Sequence, residues 1–399
     1  MKPGAVDLLI IGAGIGGLGL AQMARRFGVK SLILEAGGHI GGAINSHRFQ
    51  TEGGDYWAEL GGHTCYNSYG NLLQLLEEAG QLDSLVPKLK LPYRMLVGDN
   101  LYSIPSQLNF LELLGVLPRL WISHKAGSSV RDYFGRIIGS RNYRQVLGPA
   151  LDAVVCQPSS DFPAESLFRK KPRRKEVIRS YTGNSGLQSF IDAISSGLEI
   201  RTQSPVTRIE RMSDRYLVEV AGGEPVQADR LALAVAPDIA AGLLTSMMPE
   251  LACHLAEIEM SEIDSQAALI KTDRIELEPL AGIIAQQDAF YSAVSRDPVP
   301  DDNYRAFTFH FKPDVLDEAG RNARIAQVLG IEQADIIESA SYRNRLPALR
   351  LGHYERIGVI DRLLKGSTLA LTGNWFSGVS IEDTLIRSND ECQRLCKSY

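Results

Sequence analysis

The stretch that decides the fold lies near the start of the chain: Val6–Ile11 (VDLLII), Gly12–Gly17 (GAGIGG) and Leu18–Phe27 (LGLAQMARRF). The apolar run predicts a buried strand, the glycines predict a tight turn, and the last run predicts a helix. The first glycine permits the turn, the second lets the backbone approach a pyrophosphate, and the last lets helix and strand pack closely. The helix N-terminus then offers N–H donors to the phosphates. The stretch therefore predicts a dinucleotide-binding βαβ unit, with Gly12, Gly14, Ile15, Gly16 and Gly17 at the ligand.

The residues after the helix support this interpretation. A second apolar run, Ser31–Leu34, ends in Glu35, which stands 23 residues after Gly12. At that spacing an acidic side chain accepts hydrogen bonds from ribose hydroxyls and repels a 2′-phosphate. The pair Gly41–Gly42 gives the backbone another close approach to a bulky ligand, which favours FAD over NAD. This context weakens two alternatives, a glycine turn without a ligand and an ordinary surface glutamate.

The composition limits the class of protein. Its 399 residues suffice for more than one domain, and 44% hydrophobic with 22% charged residues is ordinary for a globular protein. The net charge of −5 offers no general attraction for nucleic acid or an anionic membrane. The five cysteines are widely spread, which suits reduced thiols in the cytoplasm. Cys392 and Cys396 have helical spacing but no further ligands nearby, so no metal site is predicted.

The string Glu35–Gly42 (EAGGHIGG) carries a family resemblance. It resembles the E-A-x-x-R-x-G-G signature of the superfamily of amine oxidases, protoporphyrinogen oxidases and carotenoid desaturases. His39 stands where that family commonly has Arg, a difference that leaves the glycines in place. The resemblance implies an α/β protein with a Rossmann-like FAD-binding domain of the amine-oxidase type and an inserted α+β substrate domain. It adds Ala36 to the residues expected to bind FAD.

Five further segments resemble protoporphyrinogen oxidase and its relatives: Glu59–Thr64, Tyr93–Pro105, Ser129–Val155, Ser180–Glu210 and Leu369–Asp383. The first is similar to a segment that returns the chain beside the flavin ring, although an ordinary glycine turn is the alternative. The second predicts a hairpin, because a Gly-Asp-Asn turn separates two β-rich runs. The third resembles a helical block that covers the active site.

The last two segments imply further contacts with the cofactor. The fourth is expected to bring backbone to the adenine, unless it is a plain exposed strand. The fifth predicts a strand, a glycine turn and a helix whose N-terminus points at the flavin and stabilises its reduced form. By resemblance, the FAD contacts in these segments are Gly61, Gly62, His63, Thr64, Val206, Gly373, Asn374, Gly378, Val379 and Ser380.

The resemblance also implies a division into domains. The FAD domain is expected to combine residues 1–84, 180–240 and 355–399. The substrate domain takes residues 85–179 as a helical cap and 241–354 as a sheet, in which Ala267–Thr272 and Ala306–Phe311 read as strands.

Two segments of the expected substrate domain bear on what the protein binds. Leu108–Ile122 is apolar and sits where some family members dip into a membrane, but its glycine and proline favour a short core helix. The basic run Arg169–Lys175 (RKKPRRK) predicts a solvated loop or, alternatively, a surface that attracts an acidic substrate, an acidic partner or phospholipid headgroups. We therefore expect a cytoplasmic protein, with peripheral contact at the inner face of the membrane as the alternative to a protein free of the membrane.

Catalytic residues are weakly indicated. His353 is a candidate proton acceptor, with a structural role as the alternative. The segment after residue 370 lacks the flavin-linked Cys and the caged Trp of monoamine oxidases. Trp375 either faces the flavin or simply packs.

The resemblance implies an FAD-dependent oxidase that removes a hydride from a C–H bond of a small organic molecule, with dioxygen, or alternatively a quinone, as acceptor. A protoporphyrinogen or coproporphyrinogen is the first expected substrate, and an amine, a pyrroline or another specialised metabolite is the rival. A flavoenzyme without net redox change, similar to UDP-galactopyranose mutase, and a flavin-binding accessory protein remain as other classes.

Overall fold

The computed structural model describes residues 5–396, in which strands and helices are numbered in chain order. The first large sheet contains β1 (Ala5–Ile11), β2 (Ser31–Leu34), β10 (Glu199–Arg201), β11 (Val206–Met212), β12 (Arg215–Val220), β13 (Val226–Leu233) and β19 (Leu369–Leu371). Its order is β10-β2-β1-β13-β12-β11, and β19 pairs with the end of β13. All pairs are parallel except those made by β12. This mostly parallel sheet confirms the predicted α/β fold class.

Twelve helices are found in residues 5–396: α1 (Ile15–Arg25), α2 (Gly70–Glu78), α3 (Phe110–Val116), α4 (Val130–Ile138), α5 (Ser140–Asn142), α6 (Gly148–Val155), α7 (Gln188–Ser195), α8 (Pro237–Leu244), α9 (Pro249–Ala256), α10 (Glu318–Leu329), α11 (His353–Leu364) and α12 (Ile381–Cys396). Helices α1, α2, α7 and α12 cover one face of the first sheet, and α8, α9 and α11 cover the other. Because both faces are covered, consecutive residues Leu8–Ile11 of β1 are all buried.

The second large sheet contains β7 (Tyr93–Val97), β8 (Asn100–Ser103), β14 (Met260–Lys271), β15 (Gly282–Ala285), β16 (Phe290–Ser295), β17 (Tyr304–Phe311) and β18 (Ile336–Pro347). Its order is β18-β14-β17-β16-β15-β7-β8, and α10 packs on one face. The predicted hairpin is β7–β8, and the two predicted strands lie within β14 and β17, so these three predictions are confirmed.

Two small sheets lie between the large ones. The hairpin of β3 (Ser46–Thr51) and β4 (Gly54–Glu59) packs against the second sheet through a shared apolar cluster. A three-stranded sheet joins β5 (Cys65–Tyr66), β9 (Ser180–Thr182) and β6 (Val86–Pro87). Both therefore position residues 57–64 and 86–88 at the border between the two layers.

We propose that the two layers are the FAD domain and the substrate domain, with one change of boundary. The first sheet draws its strands from residues 5–34, 199–233 and 369–371, and the second from 93–103 and 260–347. Residues 241–258 were expected in the substrate domain, but Leu244, Leu251 and Leu255 pack in the core of the first sheet. The second insertion therefore begins near residue 259.

The prediction of a core helix at Leu108–Ile122 is wrong. Residues of α3 and of the 3-10 turn Leu117–Trp121 project outward, and Leu111 and Trp121 are 82% and 81% exposed. Packing of this segment against α4 leaves most of its apolar side chains on the outer surface. Within residues 5–396, no helix combines the length and apolarity needed to cross a bilayer.

Candidate functional site

The glycine turn between β1 and α1 is tightly closed at two positions. A Cβ on Gly12, whose φ is +103°, would lie 2.5 Å from the carbonyl oxygen of Ala234. A Cβ on Gly17 would lie 2.0 Å from the carbonyl oxygen of Gly12. These two glycines are therefore required by packing alone, and they let α1 begin at Ile15, three residues earlier than predicted.

Gly14 differs from its neighbours, because packing does not require it. Its φ is −72°, and a Cβ would meet nothing closer than the Cα of Gly42, 3.8 Å away. Gly41 donates its N–H to the Ala13 carbonyl oxygen at 2.9 Å and forms a bridge with Gly14. The two glycine clusters that the sequence separates thus face one another across an open backbone surface.

The same surface lies at the start of α1. No side chain caps this helix at Gly14, and its first turn contains no acidic residue. The N–H donors and the positive end of the helix dipole are thus left for an external anion. We name residues 12–17 and 41–42 the glycine cradle.

Glu35 stands at the end of β2, beside the cradle. Its carboxylate accepts the N–H groups of Ala13 at 2.8 Å and Gly37 at 2.9 Å, which orients it toward the turn. The Glu35 carbonyl oxygen accepts from Ser204, two residues before Val206. Glu35, Ala36 and the start of β11 are therefore neighbours. Residues that contact the same half of a dinucleotide must lie together in this way. His39 contacts Gln188, with 3.1 Å between their side-chain atoms.

The segment Leu369–Asp383 also reaches the glycine cradle. Strand β19 pairs with β13, two strands from β2, and α12 packs along α1. Ser388 donates its hydroxyl to the Gly16 carbonyl oxygen at 2.9 Å. Gly373 and Asn374 follow β19 and are half-buried, while Gly378, Val379 and Ser380 lead into α12. The chain therefore brings its first and last predicted FAD segments together.

The N-terminus of α12 is already partly satisfied by side chains. Ser380 accepts the Asp383 N–H at 3.1 Å, and Glu382 accepts the N–H groups of Asn71 and Leu72 at the start of α2. Burial raises the pKa of Glu382. Ser380 therefore occupies one donor of α12, while Glu382 caps the start of α2.

The basic run Arg169–Lys175 is not simply a solvated loop. The Lys171 ammonium lies 2.8 Å from an Asp383 carboxylate oxygen, with both side chains largely buried, and it donates to Ser380 at 3.1 Å. Arg174 bridges Glu77 and Glu176 at 2.8 and 2.7 Å. Part of the run therefore ties the helical cap to the FAD layer, while Lys170, Arg173 and Lys175 remain at the surface or near it.

A small cleft of about 20 Å³ lies where the two layers meet, beside the predicted flavin segment. Its walls come from the end of β4, from His63, from Lys88 after β6, and from the ends of β16 and β17. Of the segment Gly61–Thr64, which is half-buried, His63 reaches this cleft. A Cβ on Gly61 would lie 2.0 Å from the Ala43 carbonyl oxygen, so this turn is fixed by its own packing.

Two cations line the cleft. Lys88 donates to the His63 carbonyl oxygen and to the Thr64 hydroxyl, both at 2.8 Å. Arg296 lies 4.6 Å from the ring centres of both Tyr56 and Trp57, and one of its terminal N–H groups donates to the Val299 carbonyl oxygen. Its buried Nε has no hydrogen-bond partner among residues 5–396. The cleft thus has positive charge on two of its walls.

Titratable groups of the cleft are strongly affected by withdrawal from water. Burial raises the pKa of Glu59 to about 7, even though its carboxylate accepts from Ser46 and the Leu187 N–H. The same effect lowers the pKa of Lys88 to about 8 and that of His63 to about 3. The imidazole of His63 is therefore neutral at ordinary pH, and Glu59 is partly protonated.

Neither weak catalytic candidate reaches this cleft. Trp375 is buried in the core of the first sheet, stacked on Phe376 and donating its indole N–H to the Val235 carbonyl oxygen at 3.1 Å. His353 is buried at the start of α11, and burial lowers its pKa, so a structural role suits it better.

The cradle fits a dinucleotide. It combines an uncapped helix start, an acidic side chain at the end of β2, and a Gly14 that the folded chain does not need for its own packing. A Cβ at that position would occupy the space toward Gly42 that the phosphates would use.

The comparison with family models agrees with this geometry. The model of the flavin containing amine oxidoreductases matches residues 15–266, more than half of the chain. The chain belongs to this family. As a flavin amine oxidoreductase it is an enzyme, and the family implies FAD as its cofactor.

Curated relatives match only a short part of the chain. "Possible lysine-specific histone demethylase 1" from Drosophila melanogaster and the 15-cis-phytoene desaturase of Capsicum annuum are each 35% identical over 80 residues, 20% of this chain. The matched part is 8% and 13% of those proteins, so the chain covers far less than two thirds of either.

Solved flavin amine oxidoreductases share the whole fold. The "Putative protoporphyrinogen oxidase" from Exiguobacterium sp. 255-15 has a TM-score of 0.78 at 18% identity, with 99% of both chains covered. Putrescine oxidase bound to putrescine has a TM-score of 0.70 at 15% identity, with 97% of this chain and 98% of that one covered. At such identities the likeness shows the fold alone.

Sequence reasoning missed Lys88 and Arg296. They are separated by more than 200 residues, and nothing in the local pattern around Lys88 distinguishes it from the surface residue Lys90. Arg296 directly follows the apolar run Phe290–Ser295, so its position at the end of a buried strand was the one available signal.

Proposed function

We propose that the protein is an FAD-dependent oxidoreductase that removes a hydride from a C–H bond of a carboxylate-bearing organic substrate. A protoporphyrinogen-like compound is the first candidate, and dioxygen is the proposed electron acceptor. The observation that carries this proposal is the guanidinium of Arg296, which lines the cleft and whose buried Nε has no hydrogen-bond partner among residues 5–396.

Arg296 supports an acidic substrate for a physical reason. A guanidinium without an ion pair is stabilised by a nearby opposite charge, and a substrate carboxylate in the cleft would supply that charge. The aromatic rings of Tyr56 and Trp57 hold the guanidinium from one side, so its position is set before a ligand arrives. Lys88 adds a second positive charge when protonated.

The glycine cradle, Glu35, the start of β11 at Val206 and the segment after β19 would hold FAD. When bound, FAD supplies the two-electron acceptor for a hydride. The protein's part is to place the substrate in the cleft, to exclude water from it, and to neutralise the substrate's charge.

An amine substrate is the second candidate, because putrescine oxidase shares the fold. Three observations disfavour it. The cations Lys88 and Arg296 would repel an ammonium group, and Glu59, which lines the same cleft, has its pKa raised to about 7 and already accepts two hydrogen bonds. Arg296 also covers the aromatic rings that could have bound a cation.

Anaerobic mixing of the FAD-loaded enzyme with candidate substrates tests the proposal. Protoporphyrinogen IX and coproporphyrinogen III should bleach the flavin, and admission of air should restore its colour with release of hydrogen peroxide. If putrescine or a pyrroline bleached the flavin and the porphyrinogens did not, the proposed substrate would be an amine and not an acid. A flavin that no compound reduces, or that stays reduced in air, would favour the binding-protein or mutase-like class.

We also propose that the protein works in the cytoplasm and rests on the inner face of the membrane. The exposed side chains of residues 110–122 form an apolar surface, and Lys125, which follows it, lies 5.8 Å from the exposed ring of Phe168. The basic residues Arg169 and Lys170 come next in the chain, so apolar and cationic groups adjoin as anionic lipid requires.

Tryptophan fluorescence tests this contact. Of the three tryptophans, Trp57 and Trp375 are buried and Trp121 is exposed. Vesicles with anionic lipid should shift the emission to shorter wavelength, and this shift should vanish in Trp121→Ser. An unchanged spectrum and no co-sedimentation with vesicles would refute membrane contact without affecting the oxidase proposal.

A further inference from the structure

Lys88 occupies an unusual position for a lysine. Its backbone N–H donates to the Ser180 carbonyl oxygen at 3.1 Å, and the next residue, Leu89, donates to the Pro298 carbonyl oxygen at 2.8 Å. The residue is thus held between the small sheet of β5, β6 and β9 and the loop after Arg296. This anchoring directs the side chain into the cleft instead of into solvent.

The ammonium has oriented but uncharged partners. Its bonds to the His63 carbonyl oxygen and the Thr64 hydroxyl use two of its three N–H donors, so one remains for a ligand. Within residues 5–396 no carboxylate oxygen lies within 4 Å of Nζ. A lysine without an ion pair, withdrawn from water, holds its proton less tightly than a surface lysine does.

The charged and titratable groups that face Lys88 do not bring its pKa back to the usual lysine value. Glu59 raises the pKa of Lys88, but its own pKa is raised to about 7, so it carries only part of a charge. Arg296 lowers the pKa of Lys88, and Cys65 stays protonated because burial raises its own pKa. The net effect is a Lys88 pKa lowered to about 8, mainly by desolvation.

The neighbouring imidazole does not compete for a proton. His63 Nδ1 lies 3.0 Å from the Thr64 hydroxyl, the same hydroxyl that accepts from Lys88. Because desolvation and the nearby Lys88 and His310 lower its pKa to about 3, His63 stays neutral. Thr64 and His63 therefore orient Nζ, and Lys88 and Glu59 are the groups of the cleft whose charge changes near neutral pH. The Glu59 carboxylate already accepts two hydrogen bonds, whereas Nζ keeps one position for a ligand.

On the basis of the proposed oxidase function, we propose that Lys88 accepts the proton that the substrate loses during its oxidation. Forming a C=N bond from a C–H and a conjugated N–H removes one hydride and one proton. Bound FAD would supply the acceptor for the hydride and its two electrons. The proton leaves the substrate nitrogen for the lone pair of neutral Nζ, which becomes an ammonium, and the N–H bonding electrons form the new double bond.

Lys88→Arg and Lys88→Met test the role, with Lys90→Met as the matched control. Lys90 is exposed two residues away. Anaerobic flavin reduction by protoporphyrinogen IX should slow by about 10²- to 10⁴-fold in both Lys88 variants, which is the usual contribution of a general base. The rate of flavin reduction in the wild type should rise with pH near 8, and this rise should disappear in both Lys88 variants. Lys90→Met should behave as wild type. Small primary amines should partly rescue Lys88→Ala.

A second measurement does not depend on turnover. In protein labelled with ¹³C at the lysine Cε, the NMR signal that is lost in Lys88→Arg should titrate near pH 8, well below the ordinary lysine value of about 10.4. A Lys88 signal that titrates above pH 10, or wild-type flavin reduction in Lys88→Arg, would overturn the proposal. If no porphyrinogen reduces the wild-type flavin, the proposed substrate fails, and the titration alone then decides whether Lys88 has the basicity the role requires.

Discussion

The glycine cradle and the cleft beside it are built in opposite ways. In the cradle, main-chain atoms approach within 2.0 to 2.5 Å of the points where a Cβ on Gly12 or Gly17 would lie, so the shape is set by backbone. In the cleft, the shape and charge come from side chains such as Lys88 and Arg296, which belong to separate elements. A cofactor site made of backbone tolerates few residue types, whereas a substrate site made of side chains changes with single substitutions. This difference explains how one fold serves several substrates.

The largest effect should come from Gly17→Ala. The new methyl would lie 2.0 Å from the Gly12 carbonyl oxygen, so the turn must open. We expect a loss of about 3 kcal/mol of stability and little FAD retained, since overpacking against backbone is not easily relieved. Thermal unfolding and the visible absorbance of the purified protein measure both. Gly53→Ala, where nothing lies within 4 Å, is the control, and a yellow, fully stable Gly17→Ala protein would show that the cradle is less rigid than its geometry indicates.

Gly14→Ala tests whether a glycine is needed at this position for FAD binding or for packing of the folded chain. The methyl meets no protein atom closer than 3.8 Å, so the apoprotein should keep its unfolding temperature. Affinity for FAD should still fall by roughly 10- to 100-fold, because the methyl occupies the path of the phosphates and costs about 1–3 kcal/mol. Titration of the apoprotein with FAD gives the affinity, and unchanged binding would place the phosphates elsewhere.

Arg296→Met should alter the cleft and leave the cradle intact. Loss of a charged hydrogen bond to a carboxylate should weaken substrate binding by about 2 kcal/mol, roughly 30-fold, while FAD binding stays the same. The KM for the porphyrinogen and the spectral Kd for FAD separate the two sites. Arg274→Met, an exposed arginine of the same layer, is the control. Equal KM values in both variants would remove Arg296 from substrate recognition.

The smallest effect concerns pH and Glu59. Its pKa is about 7 in the folded protein and near 4.5 when unfolded, so the folded state binds more protons between these values. Its contribution to stability is therefore complete below pH 4.5 and is lost as the pH rises through 7. Glu59→Gln should match wild type near pH 4.5 and exceed it above pH 7 by about 2 kcal/mol or less. Urea unfolding at several pH values measures this; a constant difference across the range would contradict the raised pKa.

The sequence could predict the glycine cradle and the parallel sheet around it, because few residue types fit a site whose shape is set by the backbone. Glycines at fixed intervals after an apolar strand, and an acidic residue after the next one, identified the parallel sheet and the segments that meet at the cradle. Which of those residues contact FAD remains a prediction. The cleft could not be anticipated, because Lys88 looks like any lysine until β6 pairs with β9.

Apolar composition was the least reliable guide. Leu108–Ile122 has the residues of a core helix, but a segment is buried only if another element covers it, and α4 leaves its outer side uncovered. Trp375 shows the converse, since a residue next to a cofactor motif can point away into the sheet's own core. In both cases the missing information was the identity of the packing partner.

The place of β19 in the first sheet has a consequence for biosynthesis. This strand, at residues 369–371, completes the edge beside β13, and α12 then closes over the turn at Gly16 through Ser388. A nascent chain that has not yet added residues 369–396 has therefore made the glycine turn without the strand and helix that pack against it. We expect the turn to hold the phosphates of FAD stably only after this strand and helix have packed against it.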